Sequence, residues 1–319
     1  MEYHREAARP LRPMPCAWAI PYDVRRSGGA MSQTTSPTAR LMDGSALARR
    51  MVEEAAERAA ALAARTGRAP CLATVLVGDD PASVTYVRMK RNRCAKAGVR
   101  SRHIALPADT TTAQLVDTIG ELSDDSGVHG ILLQHPVGPH IDERAAFEAI
   151  APEKDVDGVT AHSFAAMSLG MDGFASCTPG GIMRLLDHYD VDLTGRHAVV
   201  VGRSAILGKP VGILLLGRNA TVTYCHSRTT DLAAHTREAD VLIAAVGRPR
   251  FLHGDQLKPG AVVIDAGYNP GNVGDVDFPS AAAVASLITP VPGGVGPMTI
   301  ATLLTQTVDA ATRQLGAAG

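Results

Sequence analysis

The sequence predicts an α/β protein of two domains, each organised on a parallel sheet, and three observations carry that prediction. Short β-prone runs alternate with helical segments, and they do so in two separate series along the chain. At 319 residues the chain is long enough for two domains with substantial cores. Hydrophobic residues make up 45% and charged residues 20%, a globular composition rather than a disordered one.

The elements follow in order. An Ala-, Glu- and Arg-rich stretch over 43–65 reads as one long helix with Asp43 as its N-cap. β-Prone runs at 72–77, 103–106 and 130–133 are then separated by helical segments at 83–97, 112–122 and 143–150. The second series opens with Thr178 as N-cap and Pro179 as first position of a helix running to Tyr189. Strands are predicted at 198–201, 221–224, 241–246 and 261–265, with helices at 209–216 and 231–236 between the first three. A last helix opens at Pro297 and runs to Leu315. The domains are therefore placed at 41–157 and 158–296, joined near 157–177, with helix 297–315 returning to pack on the first. No repeat of solenoid period is visible.

Residues 1–40 are rich in Arg and Pro and lack apolar periodicity, so they read as a disordered extension outside the fold, with Met31 as an alternative start. The formal charge of -1 gives no bulk attraction to nucleic acid or an anionic membrane, and no apolar run is long enough to span a bilayer. Any anion binding must be local. Five cysteines (Cys16, Cys71, Cys94, Cys177 and Cys225), odd in number and without a Cys-x-x-Cys pair, argue against a disulfide framework or a zinc site. No metal is expected, and a reducing, cytoplasmic setting is.

Two regions carry chemistry. Strand 197–201 runs into Gly202-Arg-Ser-Ala-Ile-Leu-Gly208-Lys-Pro210 and then a helix. A glycine-bearing strand-to-helix turn aims backbone N–H groups and a helix N-terminus at a pyrophosphate, as in a Rossmann-type domain. Ser204 stands where the usual fingerprint has its second glycine, and the next glycine is displaced by one position. The second strand of such a domain commonly ends in a carboxylate that binds the ribose hydroxyls of NAD. Here it ends in His226-Ser227-Arg228-Thr229, which together with Arg203 suits a 2′-phosphate. Arg228 reads equally as a solvated surface charge.

In the first series, Tyr86 and Lys90 are four apart and Ser83 lies one turn earlier, so a helix puts all three on one face. A lysine beside an aromatic ring at the C-terminal edge of a parallel sheet can be desolvated, which lowers its pKa toward catalytic use. A snorkelling surface lysine shares that spacing. Gln134 ends the run 130–133, and Asp155 and Asp157 lie in the turn-like Pro152-Glu-Lys-Asp-Val-Asp-Gly158. Polar groups at carboxyl ends of strands are where open α/β sheets contact ligands, although Asp157 also suits a turn or cap.

In order along the chain, SVTYVRMK, GILLQHP, PEKDVDG, CTPGGI, GRSAILGKP, HSRT and TPVPGGVGPMT resemble the bifunctional methylenetetrahydrofolate dehydrogenase/cyclohydrolase family, over roughly residues 41–315. The resemblance implies two α/β domains flanking a cleft, the C-terminal one a Rossmann-type dinucleotide-binding domain, in a homodimer joined through the cofactor domains. It implies NADP-dependent oxidation of 5,10-methylenetetrahydrofolate to the 5,10-methenyl compound, then hydrolysis to 10-formyltetrahydrofolate. Tetrahydrofolate derivatives would be the ligands, with no nucleic acid or membrane partner.

Lys90 would be the catalytic lysine, with Gln134 tuning it and positioning water. Tyr86, beside Ser83, would stack on the folate ring system, and Asp157 would hydrogen-bond the pteridine. Gly202, Arg203 and Ser204 would line the cofactor phosphates, with Ser227 and Arg228 near the 2′-phosphate and the backbone at Tyr268 near the nicotinamide. The Pro292-Gly293-Gly294 loop would lie in the cleft.

Departures from the family pattern are His135 for Leu, Val137-Gly138 for Leu-Pro, Ser163 and Ala165 for Asn and Gly, and Tyr268 for Ile. Cys177 reads as structural. A dehydrogenase lacking the hydrolase step and a non-catalytic NADP sensor remain the alternatives; an intact Lys90 argues against the sensor.

Overall fold

The structure, a computed structural model, describes residues 39–78 and 92–316. Ser83, Tyr86 and Lys90 lie outside the described residues, as does the sequence before Ala39.

Two fully parallel sheets organise the chain. Strands β2 (Cys71–Val77), β3 (Arg100–Leu106) and β4 (Gly130–Leu133) form a three-stranded sheet in the order β3-β2-β4. A six-stranded sheet runs β1-β9-β8-β7-β5-β6, with β1 at Arg40–Leu41, β5 at His197–Val201, β6 at Thr221–Cys225, β7 at Val241–Ala244, β8 at Val262–Asp265 and β9 at Leu287–Ile288. Strands covered on both faces read as near-continuous apolar runs, as β2, β4 and β7 do. The edge strand β3 begins three residues before the predicted His103. Arg100, Ser101 and Arg102 pair with β2 through backbone while their side chains face solvent, so they left no apolar signal.

Ala39 and Arg40, assigned from sequence to the extension, belong to the fold instead. Ala39 N donates to Ala282 O at 2.9 Å and Arg40 N to Ser286 O at 2.9 Å, and β1 pairs with β9. Within the described residues the chain thus runs from the second sheet to the first through helix α1 (Gly44–Thr66), capped by Asp43, whose Oδ1 accepts from Ala46 N at 3.0 Å. A two-residue strand has no period to read.

The last helix, Val295–Gly316, packs along α1 and the helix Cys177–His188. Its Ile300, Leu303, Leu304 and Val308 share a core with Leu72 and Leu132 of the first sheet. Gln306 Nε2 donates to Val156 O at 2.8 Å and Gln314 Nε2 to His129 O at 2.9 Å, tying it to that sheet's loops. It opens two residues before the predicted Pro297, because the first turn needs no internal N–H from proline.

Helix Cys177–His188 likewise starts without Thr178 as its cap. Cys177 N donates to Asp157 O at 3.1 Å, and the Thr178 hydroxyl turns to that of Thr299, 3.0 Å away. Among the described residues, no helix is long and apolar enough to cross a membrane.

Candidate functional site

Strand β5 has β6 on one side and β7 on the other, so the strand order reverses there and opens a crevice beyond the carboxyl ends of β5 and β7. The register sets Val201 opposite both Cys225 and Ala244, which puts Gly202, His226 and Ala245 at one level. Gly202 has φ 136°, open only to glycine, and a Cβ there would collide with Ala245 O. A Cβ on Gly208 would stand 2.5 Å from Gly202 O and 2.7 Å from Arg203 N. Both glycines are therefore needed to fold the turn this tightly, and the turn can approach a dinucleotide backbone. The displaced glycine of the fingerprint serves the turn itself.

Ser204 Oγ accepts from Gly208 N at 3.1 Å, so it takes up the first N–H of the helix Gly208–Gly217, whose own N-cap, Leu207, offers no side-chain acceptor. Arg203, Ser227 and Arg228 are exposed on adjacent strand ends. His226 folds the second turn, its N–H bonded to Thr229 Oγ1 at 2.8 Å and its Nδ1 accepting from Arg228 N at 3.2 Å. The donor set is cationic and hydroxylic at this corner, and it fits a 2′-phosphate.

Beyond β7 and β8, two buried carboxylates organise the loops. Asp275 Oδ2 accepts from Val246 N (2.6 Å) and Gly247 N (2.9 Å), and its Oδ1 from Arg248 N (2.9 Å) and Asn269 Nδ2 (3.0 Å). Asp265 accepts from the N–H groups of Gly267, Asp275 and Val276, each at 2.9 Å. Burial pushes the Asp265 carboxyl up to about 6, with the charge of Asp275 in the same direction and the three amide donors opposing. Tyr268, on the loop so held, is 71% exposed and donates to Asn272 Oδ1 at 2.7 Å.

A cavity of about 290 Å³ lies against this crevice, and its walls include Gln134, Asp157, Thr178, Thr299, Ile206 and Leu207. Gln134 prolongs β4, its N–H donating to Val75 O at 2.8 Å, and its Nε2 donates to His135 O at 3.0 Å. Asp157 is placed by its neighbours. Buried Asp155 accepts from Val159 N (3.1 Å), Thr160 N (2.9 Å) and Ser163 Oγ (2.6 Å), which folds the loop around it. Gly158, at φ 67°, would carry a Cβ only 2.5 Å from Ser176 N. Lys154 is buried, and its Nζ donates to Ser123 O (2.5 Å) and Asp125 O (2.8 Å) at the end of helix Thr112–Asp124. It is a structural cap, and burial lowers its pKa.

The structure thus brings Gln134 and Asp157 into one cavity, and the turn after Gly202 supplies its opposite wall through Ile206 and Leu207. Pro292, Gly293 and Gly294 line another contact. Gly293 O accepts from Ser45 N at 2.9 Å, and a Cβ on Gly44 would collide with Gly294 O, so this turn seats the start of α1. The departures near Gln134 are packed in: the His135 ring stands edge-on to Phe147 at 6.2 Å, and Val137 is in the core. Cys177 is buried, its thiol donating to Val156 O at 3.1 Å. Sequence reasoning missed the organising roles of Asp155, Asp265 and Asp275. Their only signal was a carboxylate at a strand end or in a turn.

Two family models match the chain: "Tetrahydrofolate dehydrogenase/cyclohydrolase, catalytic domain" over 42–157 and "Tetrahydrofolate dehydrogenase/cyclohydrolase, NAD(P)-binding domain" over 176–315. The chain is 77% identical over 283 residues to bifunctional protein FolD 1 of Streptomyces avermitilis, covering 89% of this chain and 99% of that protein. It is 68% identical over 276 residues to bifunctional protein FolD 1 of Salinispora arenicola, covering 86% and 99%. Among solved structures, the bifunctional FolD methylenetetrahydrofolate dehydrogenase/cyclohydrolase of Campylobacter jejuni superimposes with a TM-score of 0.84 at 44% identity, covering 86% of this chain and 99% of that one. The Trypanosoma brucei dehydrogenase-cyclohydrolase, complexed with NADP cofactor and inhibitor, gives a TM-score of 0.84 at 38% identity, covering 87% and 98%.

Proposed function

The chain belongs to the tetrahydrofolate dehydrogenase/cyclohydrolase family, and on that premise we propose how its residues divide the work. It is an enzyme that oxidises 5,10-methylenetetrahydrofolate to the 5,10-methenyl compound with NADP⁺ and hydrolyses that product to 10-formyltetrahydrofolate. One observation carries the assignment of sites: the glycine turn of the crevice continues into Ile206 and Leu207, which wall the cavity of Gln134 and Asp157. Folate and dinucleotide sites that share a wall can bring a hydride donor against its acceptor, which is most of what a hydride transfer requires.

NADP⁺, when bound, supplies the hydride acceptor. Gly202 and Gly208 let the backbone approach its phosphates, and Arg203, Ser204, Ser227 and Arg228 take the phosphate charge. The backbone of the Asp265-braced loop at Tyr268 borders the nicotinamide end. On the folate side, Asp157 hydrogen-bonds the pteridine, Tyr86 stacks on it with Ser83 alongside, and Pro292, Gly293 and Gly294 border the cleft at the α1 end.

Hydrolysis adds water to the cationic methenyl carbon. That water loses its protons as the carbon–N5 bond breaks and N5 takes one up, so one proton is released overall. Lys90 carries the proton, and Gln134 orients Lys90 and the water. In this reading 41–157, with the returning helix, holds folate and 158–296 the cofactor.

A homodimer joined through the cofactor-side sheets fits the exposed edge at β6. Leu216 and Tyr224 are exposed there, as are Leu169, which ends a helix (Ala161–Leu169) packed beside Gly208–Gly217, and Met171 just after it. Sedimentation of the full chain tests it, and a monomer at micromolar concentration would remove it.

The test of function follows methenyl absorbance after NADP⁺ addition to the methylene substrate, then its decay in supplied methenyl compound. Both phases are expected. Accumulation without enzyme-dependent decay would leave a dehydrogenase alone, and neither phase would refute the reading.

A further inference from the structure

The crevice at the strand reversal has two walls, and they differ in one respect that bears on the orientation of the cofactor. The turn after β5 is tight, glycine-built and bordered by exposed Arg203. The turn after β7 also presents three consecutive backbone N–H groups, from Val246, Gly247 and Arg248, and such a run is a ready anion site. Here the anion is built in. The Asp275 carboxylate, 0% exposed, fills all three N–H groups and takes a fourth bond from Asn269 on the loop after β8.

We propose that Asp275 is a positioning residue for the cofactor: by filling the N–H run after β7 and clamping it to the β8 loop, it denies that wall to phosphate. The cofactor phosphates are thereby confined to the turns after β5 and β6, and the nicotinamide riboside portion, which carries no phosphate of its own beyond the shared pyrophosphate, is directed along the β7 and β8 loops toward Tyr268. The proposal rests on the reading of the crevice as the NADP site. Asp265 supports the same clamp from behind, since its Oδ1 accepts from Asp275 N and Gly267 N and its Oδ2 from Val276 N. Gly274 completes the arrangement, because a Cβ there would collide with the Asp265 carboxylate.

Two measurements on the full chain test it. In the wild type, amide hydrogen exchange at 246–248 should be slow before NADP⁺ is added and little changed after, while amides of 203–208 gain protection on binding. Fast exchange at 246–248 that becomes slow only with NADP⁺ would make those N–H groups ligand donors and overturn the proposal. The second is Asp275→Asn, which keeps the shape but sets an NH₂ against two of the four donors. NADP⁺ binding, measured by calorimetry, should weaken at least about tenfold. Binding of 2′,5′-ADP, which reaches only the β5–β6 corner, should stay within about threefold, a small change on the same scale. Hydrolysis of supplied methenyl substrate, which needs no hydride acceptor, should persist. Unchanged NADP⁺ affinity, or a parallel loss for 2′,5′-ADP, would refute the positioning role. Absence of NADP⁺ binding in the wild type would instead remove the functional reading, and if the variant does not fold, the wild-type exchange pattern alone decides.

Discussion

Gly202→Ala should damage the cofactor site and the fold together, by an amount that can be worked from the backbone. The added methyl meets two penalties. Its φ of 136° lies in a region that side chains avoid, costing about 1–3 kcal/mol. Its Cβ would collide with Ala245 O and stand 2.9 Å from that carbonyl carbon, so the turns after β5 and β7 must part by roughly an ångström to restore van der Waals contact. That movement strains the Ala245 N to Val201 O bond, now 2.8 Å, and opens the crevice where the cofactor lies. A total loss of about 2–3 kcal/mol corresponds to a Tm lower by about 3–5 °C for a chain of this size. NADP⁺ affinity should fall at least about tenfold, the equivalent of 1.4 kcal/mol. Thermal melting and calorimetric titration of both proteins measure the two effects. A variant with wild-type Tm and wild-type NADP⁺ affinity would show that Gly202 is not held against Ala245, and the crevice geometry described above would be wrong.

Other outcomes follow from the same physics. Arg203→Ala should weaken NADP⁺ about tenfold and leave NAD⁺ nearly unchanged, because a charge-assisted contact to the 2′-phosphate is worth about 1.5–3 kcal/mol; equal losses for both cofactors would place Arg203 elsewhere. Lys90→Met should abolish hydrolysis while folate binding survives, since the stem volume is kept and the proton carrier is not; a wild-type hydrolysis rate would rule Lys90 out. For Asp265, the folded carboxyl is raised to about 6, so the folded state binds its proton more tightly than the unfolded chain, and this group's contribution grows as pH falls through 6. The stability deficit of Asp265→Asn should therefore be about 1 kcal/mol larger at pH 5 than at pH 7.5. Denaturant titrations at both values measure it, and a deficit that shrinks toward pH 5 would contradict the sign.

Much was determined by the sequence alone, and for a local reason. The strands β2, β4, β5, β7 and β8 are short apolar runs between turn residues, and the Gly202–Gly208 turn announces itself between a strand and a helix. The missing carboxylate after β6 is equally a one-dimensional fact. Cofactor class and the parallel α/β architecture are therefore legible in the sequence, and the ordered motifs carry the rest of the function.

The tertiary structure decided what depends on distant pairs. Arg40–Leu41 joins a sheet whose partner strand lies at Leu287–Ile288, a pairing that no window of sequence contains. Gln134 and Asp157 share a cavity with Ile206 and Thr299 only because β4, the glycine turn and the last helix converge there. Asp275 is an ordinary turn residue in sequence, and its function as a built-in anion exists only because the fold returns it to the N–H groups of 246–248. Periodicity reports which face of an element is covered. Which groups meet across the cleft is set by chain closure over long separations, and that information resides in the packing.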